Sequence, residues 1–250
     1  MKFFVLHIII MCLSFASYSQ KVTIAAAADL RFALDAVVKQ FKLKHPQADI
    51  QVIYGSSGNA YNQITNGALY DLYFSADILY PKKLQEAKLT LTAPTMYAIG
   101  RIVLWSKTYD VSQGIHSLQR YPKVRIAIAQ PDHAPYGKRA VETMKYYGVY
   151  DNVKTRIIYG ENISQAAQFC VTGNADMGIL ALSIVLSPTM INKGTYVILN
   201  EKSHAPLEQA FVVLKHAKGN TVAFAFADFV SSNEAKSILE KYGFVIPKKL

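Results

Sequence analysis

The sequence predicts an α/β protein of largely parallel sheets flanked by helices. Three observations support this. Short β-type runs alternate with segments of helical spacing along nearly the whole chain. The 250 residues are 51% apolar and 18% charged, which is enough apolar material for one large core or two modest ones and too much for a disordered or fibrous chain. No internal repeat, low-complexity stretch or polar linker interrupts the alternation, so the strands can fill one sheet or two.

Met1–Ser19 comes first and does not belong to that pattern. Lys2 precedes the apolar stretch Phe3–Phe15, which is too short to cross a bilayer comfortably, and the small Ser17 and Ser19 stand at the minus-three and minus-one positions of a cleavage site. Residues 1–19 are therefore read as a secretory signal, with an exported mature chain starting near Gln20. A lipid anchor at Cys12 is not expected, because Met11 before it is too large for a typical lipidation site. Without Cys12, Cys170 is the one remaining cysteine and no intrachain disulfide can form. Loss of Lys2 lowers the formal charge of +10 by one. A basic surplus suits an anionic ligand or a membrane face, and an exported protein has little use for nucleic acid.

Val22–Ala28 reads as a strand. The spacing of Leu30, Phe32, Ala33, Leu34, Val37, Val38 and Phe41 then predicts a helix, with Asp29 placed to cap it. Ala48–Tyr54 is a second strand, closed by Gly55-Ser56-Ser57-Gly58-Asn59 and followed by a short helix around Ile64. Asp71–Phe74 is a strand, Pro81–Ala87 a helix, and Tyr97–Trp105 one long β-branched strand. Strands are expected at Val124–Ala129, Arg156–Tyr159, Asp176–Leu180, Tyr196–Leu199 and Ala210–Leu214. The helices between and after them are Lys138–Tyr147, Ile163–Val171, Val222–Ser231 and Glu234–Tyr242, with Phe224, Phe226 and Phe229 read as core residues. Tyr97–Trp105 and Glu208–Leu214 are the expected crossing strands. If they run side by side, the chain builds one lobe, crosses to a second and returns, leaving a cleft.

Four strand-to-helix junctions carry small or polar residues: Ala28-Asp29-Leu30, Gly55-Ser56-Ser57-Gly58, His133-Ala134-Pro135-Tyr136-Gly137 and Gly160-Glu161-Asn162-Ile163. In parallel α/β sheets such junctions sit at the carboxyl ends of strands, where helix starts offer unpaired N–H donors and a partial positive charge. Four of them facing one cleft would trap an anion without a lysine or arginine. Each junction alone is equally a plain surface turn with an ordinary cap, and only their recurrence favours a site. Enzyme signatures are thin. The chain has no His-x-x-x-His pair, cysteine cluster, Gly-x-Ser-x-Gly elbow or phosphate loop. His133 beside Asp132 can be drawn as a general base with its orienting acid, although a turn between Pro131 and Pro135 accounts for the same residues.

Six segments in order resemble the periplasmic molybdate-binding proteins of ABC importers: Ala26-Ala27-Ala28-Asp29-Leu30, Tyr54-Gly55-Ser56-Ser57-Gly58-Asn59, Phe74-Ser75-Ala76-Asp77, Pro131–Gly137, Gly160-Glu161-Asn162-Ile163 and Tyr242-Gly243-Phe244. The resemblance implies a two-lobed type II binding protein, each lobe a mainly parallel sheet flanked by helices, joined by a hinge of crossing strands. Residues 20–100 and 208–250 would form the first lobe and 101–207 the second. It further implies a non-catalytic, monomeric receptor without a cofactor that delivers molybdate or tungstate to an ABC transporter permease. Molybdenum would enter only within its oxyanion. Same-fold receptors for sulfate, phosphate or chromate, and an exported hydrolase using His133, are the alternatives.

The ligand positions implied are Asp29, Ser57, Tyr136, Ile163 through its backbone, and Ala181, with Leu30, Arg31 and Ser56 as further contacts. Two of these depart from the family pattern. Asp29 stands where a serine or threonine hydroxyl is common, and an ionised carboxylate would repel a dianion by several kcal/mol in a dry site. It is therefore expected to turn away and cap its helix while its own N–H and that of Leu30 serve the ligand. Ala181 stands where some members carry a tyrosine hydroxyl, a donor that Tyr136 would restore from across the cleft. Arg31 would supply a compensating charge.

Overall fold

The computed structural model describes residues 21–247. The expected signal at 1–19, with Lys2, Cys12 and the cleavage site, lies outside the described residues. The first elements in chain order are β1 (Lys21–Ala27), α1 (Arg31–Lys44), β2 (Asp49–Gly55), α2 (Ser57–Thr65), β3 (Leu72–Ser75), α3 (Leu79–Glu86) and β4 (Thr95–Gly100). The next are β5 (Ile102–Ser106), α4 (Ser117–Arg120), β6 (Ile126–Ala129), α5 (Pro135–Tyr146), α6 (Tyr150–Val153), β7 (Ile157–Gly160), α7 (Ile163–Thr172), β8 (Met177–Ala181), α8 (Leu182–Val185) and β9 (Thr195–Ile198). The chain closes with β10 (Leu207–Val213), α9 (Thr221–Val230) and α10 (Asn233–Lys241).

The strands form two five-stranded sheets, ordered β2-β1-β3-β10-β4 and β7-β6-β8-β5-β9. Both sheets are mixed. In the first, β2, β1 and β3 run parallel, whereas β10 is antiparallel to both β3 and β4. In the second, β7, β6 and β8 run parallel, whereas β5 is antiparallel to β8 and β9. Parallel pairs need crossover connections, which the intervening helices supply. The antiparallel pairs gather where the chain passes from one sheet to the other. β3, β6 and β8 are buried along their whole length, as expected of strands covered on both faces, and β2 at a sheet edge alternates.

Each lobe has its own core. In the first, Phe41 packs edge-on against Phe226 with ring centroids 5.2 Å apart, and Phe74 stacks on Phe211 at 5.0 Å. Phe226 is fully buried there, Phe229 is partly buried, and Phe224 is exposed rather than core. Trp105, Ile128, Met144 and Leu180 belong to the second core. Cys170 is buried in the same core with its thiol pushed up to about 12 by desolvation.

The expected single strand Tyr97–Trp105 is two strands in two sheets, broken at Arg101. The Arg101 guanidinium donates to the Gly243 carbonyl from Nε at 3.1 Å and Nη2 at 2.9 Å, which ties the crossing to the C-terminal segment. The second expected crossing also shifts. Glu208–Leu214 stays with the first sheet, and the chain returns between the end of β9 and Leu207, which pairs with Gly100. The two passages therefore lie side by side.

Candidate functional site

The carboxyl ends of β1, β2 and β7 and the loop after β6 meet between the lobes around a small pocket. Its lining is Ala27, Ala28, Asp29, Gly55, Ser56, Ser57, Ala76, Ala134, Pro135, Tyr136, Asn162 and Ile163. The pocket's cavity volume is about 10 Å³. That is below the roughly 300–1,000 Å³ typical of sites for drug-sized organic ligands. Residues from both lobes contribute, and the lining contains no lysine, arginine or histidine.

The local sequence turns backbone donors toward this space. α2, α5 and α7 all start at the pocket, and helix geometry leaves the N–H groups of Ser57, Tyr136 and Ile163 without acceptors inside their own helices. Pro135 in the first turn of α5 fits because its missing N–H would be unpaired there anyway. The caps occupy other N–H groups: Ser56 Oγ accepts from Asn59 N at 3.4 Å, and Asn162 Oδ1 accepts from Ser164 N at 3.0 Å and Gln165 N at 3.1 Å. Ser57 Oγ accepts from Ala76 N at 3.0 Å, so its own proton is available to a ligand. Three helix starts and one hydroxyl around a pocket without a cationic side chain in its lining make a site suited to an oxyanion.

Asp29 does not cap a helix. It lies in a short 3₁₀ turn before α1, and no side chain caps either start. Its carboxylate Oδ2 instead accepts from Gln209 Nε2 at 2.7 Å and from the Tyr136 hydroxyl at 3.0 Å. Two neutral donors thus serve Oδ2 without a cation, while Oδ1 has no partner among the described residues. Complete burial still pushes its pKa up to about 6, against the lowering pull of those hydrogen bonds. The Tyr136 hydroxyl is thus committed to Asp29 and to Gln209 Nε2 at 3.1 Å, and does not stand in for a donor at Ala181. Burial and the facing carboxylate raise the Tyr136 phenol well above its ordinary value, so it remains a donor.

The other expected residues divide. Ser56, Ser57, Tyr136, Ile163 and Asp29 come together at the pocket, whereas Ala181, Leu30 and Arg31 do not line it. Ala181 ends β8, paired with Ile102, and Leu30 is buried in the first-lobe core. Arg31 does not compensate the site: its guanidinium lies over the Tyr54 ring at 5.6 Å, in grooves outside the pocket. His133 pairs with Glu161 of the second lobe at 3.6 Å rather than with Asp132, and its Nδ1 lies 2.9 Å from Ser56 Oγ. Gln209 and Ala76 were not anticipated. Neither carries a local signal, since Gln209 is one polar residue in a buried strand and Ala76 acts through its backbone.

The lobes touch across the pocket rim. Gly58 N donates to the His133 carbonyl at 2.8 Å, and Asn59 Nδ2 bonds Glu161 Oε1. Ser164 Oγ donates to the Ala28 carbonyl at 3.0 Å, and Ser183 Oγ to the Asp29 carbonyl at 2.8 Å. Asp77 and Arg139 add a buried ion pair at 3.2 Å. The conformation is closed.

Two lobes, two side-by-side crossings and a closed pocket define a two-lobed solute-binding protein. A model of the family described as bacterial extracellular solute-binding protein matches residues 22–245. The chain belongs to this family. It is 35% identical over 193 residues to the molybdate-binding protein ModA of Rhodobacter capsulatus, covering 77% of this chain and 75% of that protein. It is 31% identical over 235 residues to the molybdate-binding protein ModA of Azotobacter vinelandii, covering 93% and 92%. The solved periplasmic molybdate-binding protein of Azotobacter vinelandii superposes with a TM-score of 0.85 at 29% identity, over 91% of this chain and 100% of that one. The sulfate-binding protein SubI of Mycobacterium tuberculosis, at 16% identity and a TM-score of 0.72, shares the fold.

Proposed function

We propose that this chain captures molybdate or tungstate in the interlobe pocket, in the periplasm, and presents it as a monomer to the permease of an ABC importer. The observation that carries the proposal is the convergence of the α2, α5 and α7 starts and the Ser57 hydroxyl on a small pocket with no lysine, arginine or histidine in its lining. Neutral donors fixed on rigid helices select by size, and a shorter sulfur–oxygen bond would leave some of them out of reach. The relatives named as molybdate-binding proteins favour that choice over sulfate, phosphate or chromate. A hydrolase using His133 has less support, because the imidazole is engaged with Ser56 and Glu161 at the rim.

Ser57→Ala removes a pocket hydroxyl whose oxygen already accepts from Ala76 N and whose proton is free for the ligand. Molybdate affinity should fall by about 1–3 kcal/mol, roughly 5- to 150-fold. Isothermal calorimetry reads this directly, and an unchanged affinity would remove Ser57 from the site. In a thermal-shift screen, molybdate and tungstate should raise the melting temperature far more than sulfate, phosphate or chromate at equal concentration. A larger shift with sulfate or phosphate would reassign the ligand.

A further inference from the structure

Asp29 is a pocket-lining residue with a fully buried carboxyl group. Its Oδ2 takes both available donors, Gln209 Nε2 and the Tyr136 hydroxyl, while its Oδ1 is buried with no hydrogen-bond partner among the described residues. The elements around it bring no compensating charge. β4 contributes Tyr97, β10 contributes Gln209 and α5 contributes Tyr136. The 3₁₀ turn itself packs on α1, α7 and α8. α8 has no ionisable side chain, α7 has only Cys170, and the near end of α1 offers Arg31, which is turned onto Tyr54. A dianion beside an ionised Asp29 would put three negative charges in one desolvated space.

Resting on the oxyanion reading above, we propose that ligand capture takes up one proton, carried by the Asp29 carboxyl group, so that the closed complex holds a neutral acid whose O–H is a donor. No bond to the ligand forms or breaks. The proton comes from solvent, and the complex carries one positive charge more than the sum of ionised protein and dianion. In the closed conformation without ligand, burial already lifts the carboxyl to about 6. A bound dianion lifts it further. Well below the carboxyl's value without ligand the group is protonated with or without ligand, and affinity is flat. Between that value and the higher value in the complex, each added pH unit costs close to tenfold in affinity.

The test is calorimetry of full-length mature protein with molybdate at pH 7.5 in buffers of different ionisation enthalpy, which counts protons taken up on binding. Wild type should take up close to one proton and lose about tenfold in affinity per pH unit above pH 7. Asp29→Asn keeps the shape and supplies a neutral donor. It should take up none, show less than about twofold change per unit, and bind more tightly than wild type at pH 8.5. Binding by wild type without proton uptake, or the same uptake in Asp29→Asn, overturns the inference and leaves the oxyanion reading standing. Failure of wild type to bind molybdate, tungstate or sulfate at any pH sinks both. If Asp29→Asn does not fold, the wild-type proton count alone decides.

Discussion

Gly58→Ala should lower molybdate affinity by about 100-fold or more while leaving the ligand-free protein as stable as wild type, or slightly more so. A Cβ at Gly58 would sit 2.8 Å from both Cβ and the carbonyl oxygen of His133, and 2.8 Å from the Tyr80 hydroxyl. Tyr80 belongs to the same lobe and can swing aside. His133 belongs to the other lobe, and its carbonyl also accepts the Gly58 N–H, so relief requires the lobes to part. Parting withdraws the Tyr136 and Ile163 amides from a ligand held by Ser57. If closure falls to one molecule in a hundred, apparent affinity falls by the same factor. Within α2, alanine is the better helix former by about 0.5–1 kcal/mol, so the stability change should oppose the affinity change in sign. Calorimetry gives the affinity, thermal melting the stability, and small-angle scattering with saturating ligand should show a larger radius than for wild type. Tight binding with wild-type compaction would mean that the rim contact is not part of closure.

Gly137→Ala should act on the second lobe itself. The added Cβ would lie 2.0 Å from the Ala129 carbonyl oxygen and 2.6 Å from its carbon, both backbone atoms of β6. Neither can rotate away. The start of α5 must lift from the strand end, at a cost of about 3 kcal/mol, the upper part of the usual range for overpacking. For a chain of this size that lowers the melting temperature by roughly 6–12 °C. Because Tyr136 rides on the same turn, the loss should also appear as weaker ligand binding and a disturbed Asp29 environment. A melting temperature within a degree of wild type would contradict the packing described for this junction.

Much of this was legible in the residues. The strand and helix alternation, the four polar junctions and the position of Ser57 can be read locally, because caps and periodicity are properties of near neighbours. What could not be read depends on distant pairing. The β-branched run through Arg101 gives no sign that its halves join different sheets, since the break is set by contacts with Gly243, 142 residues away. Asp29 before an amphipathic run has the pattern of a cap. Its actual partners lie 107 and 180 residues on, and tertiary donors outcompeted the local ones. The resemblance implies Ala181 and the position just after the first junction suggests Arg31, and the described structure makes the first a buried strand end and turns the second outward. Gln209 would have been noticed only as a polar residue beside Glu208 at the start of a mostly apolar strand, a weak signal that burial beside a carboxylate makes meaningful.

The central claim is that neutral donors at three helix starts hold the oxyanion between the lobes. Crystals grown with tungstate test it most directly, because tungsten's anomalous scattering locates the ion independently of the protein model. One strong peak is expected within hydrogen-bonding range, through the oxyanion's oxygens, of Ser57 Oγ and of the Tyr136 and Ile163 amides, with no cationic side chain in contact. A peak against Arg31 or Lys193 in the outer groove, with the interlobe pocket empty, would contradict it.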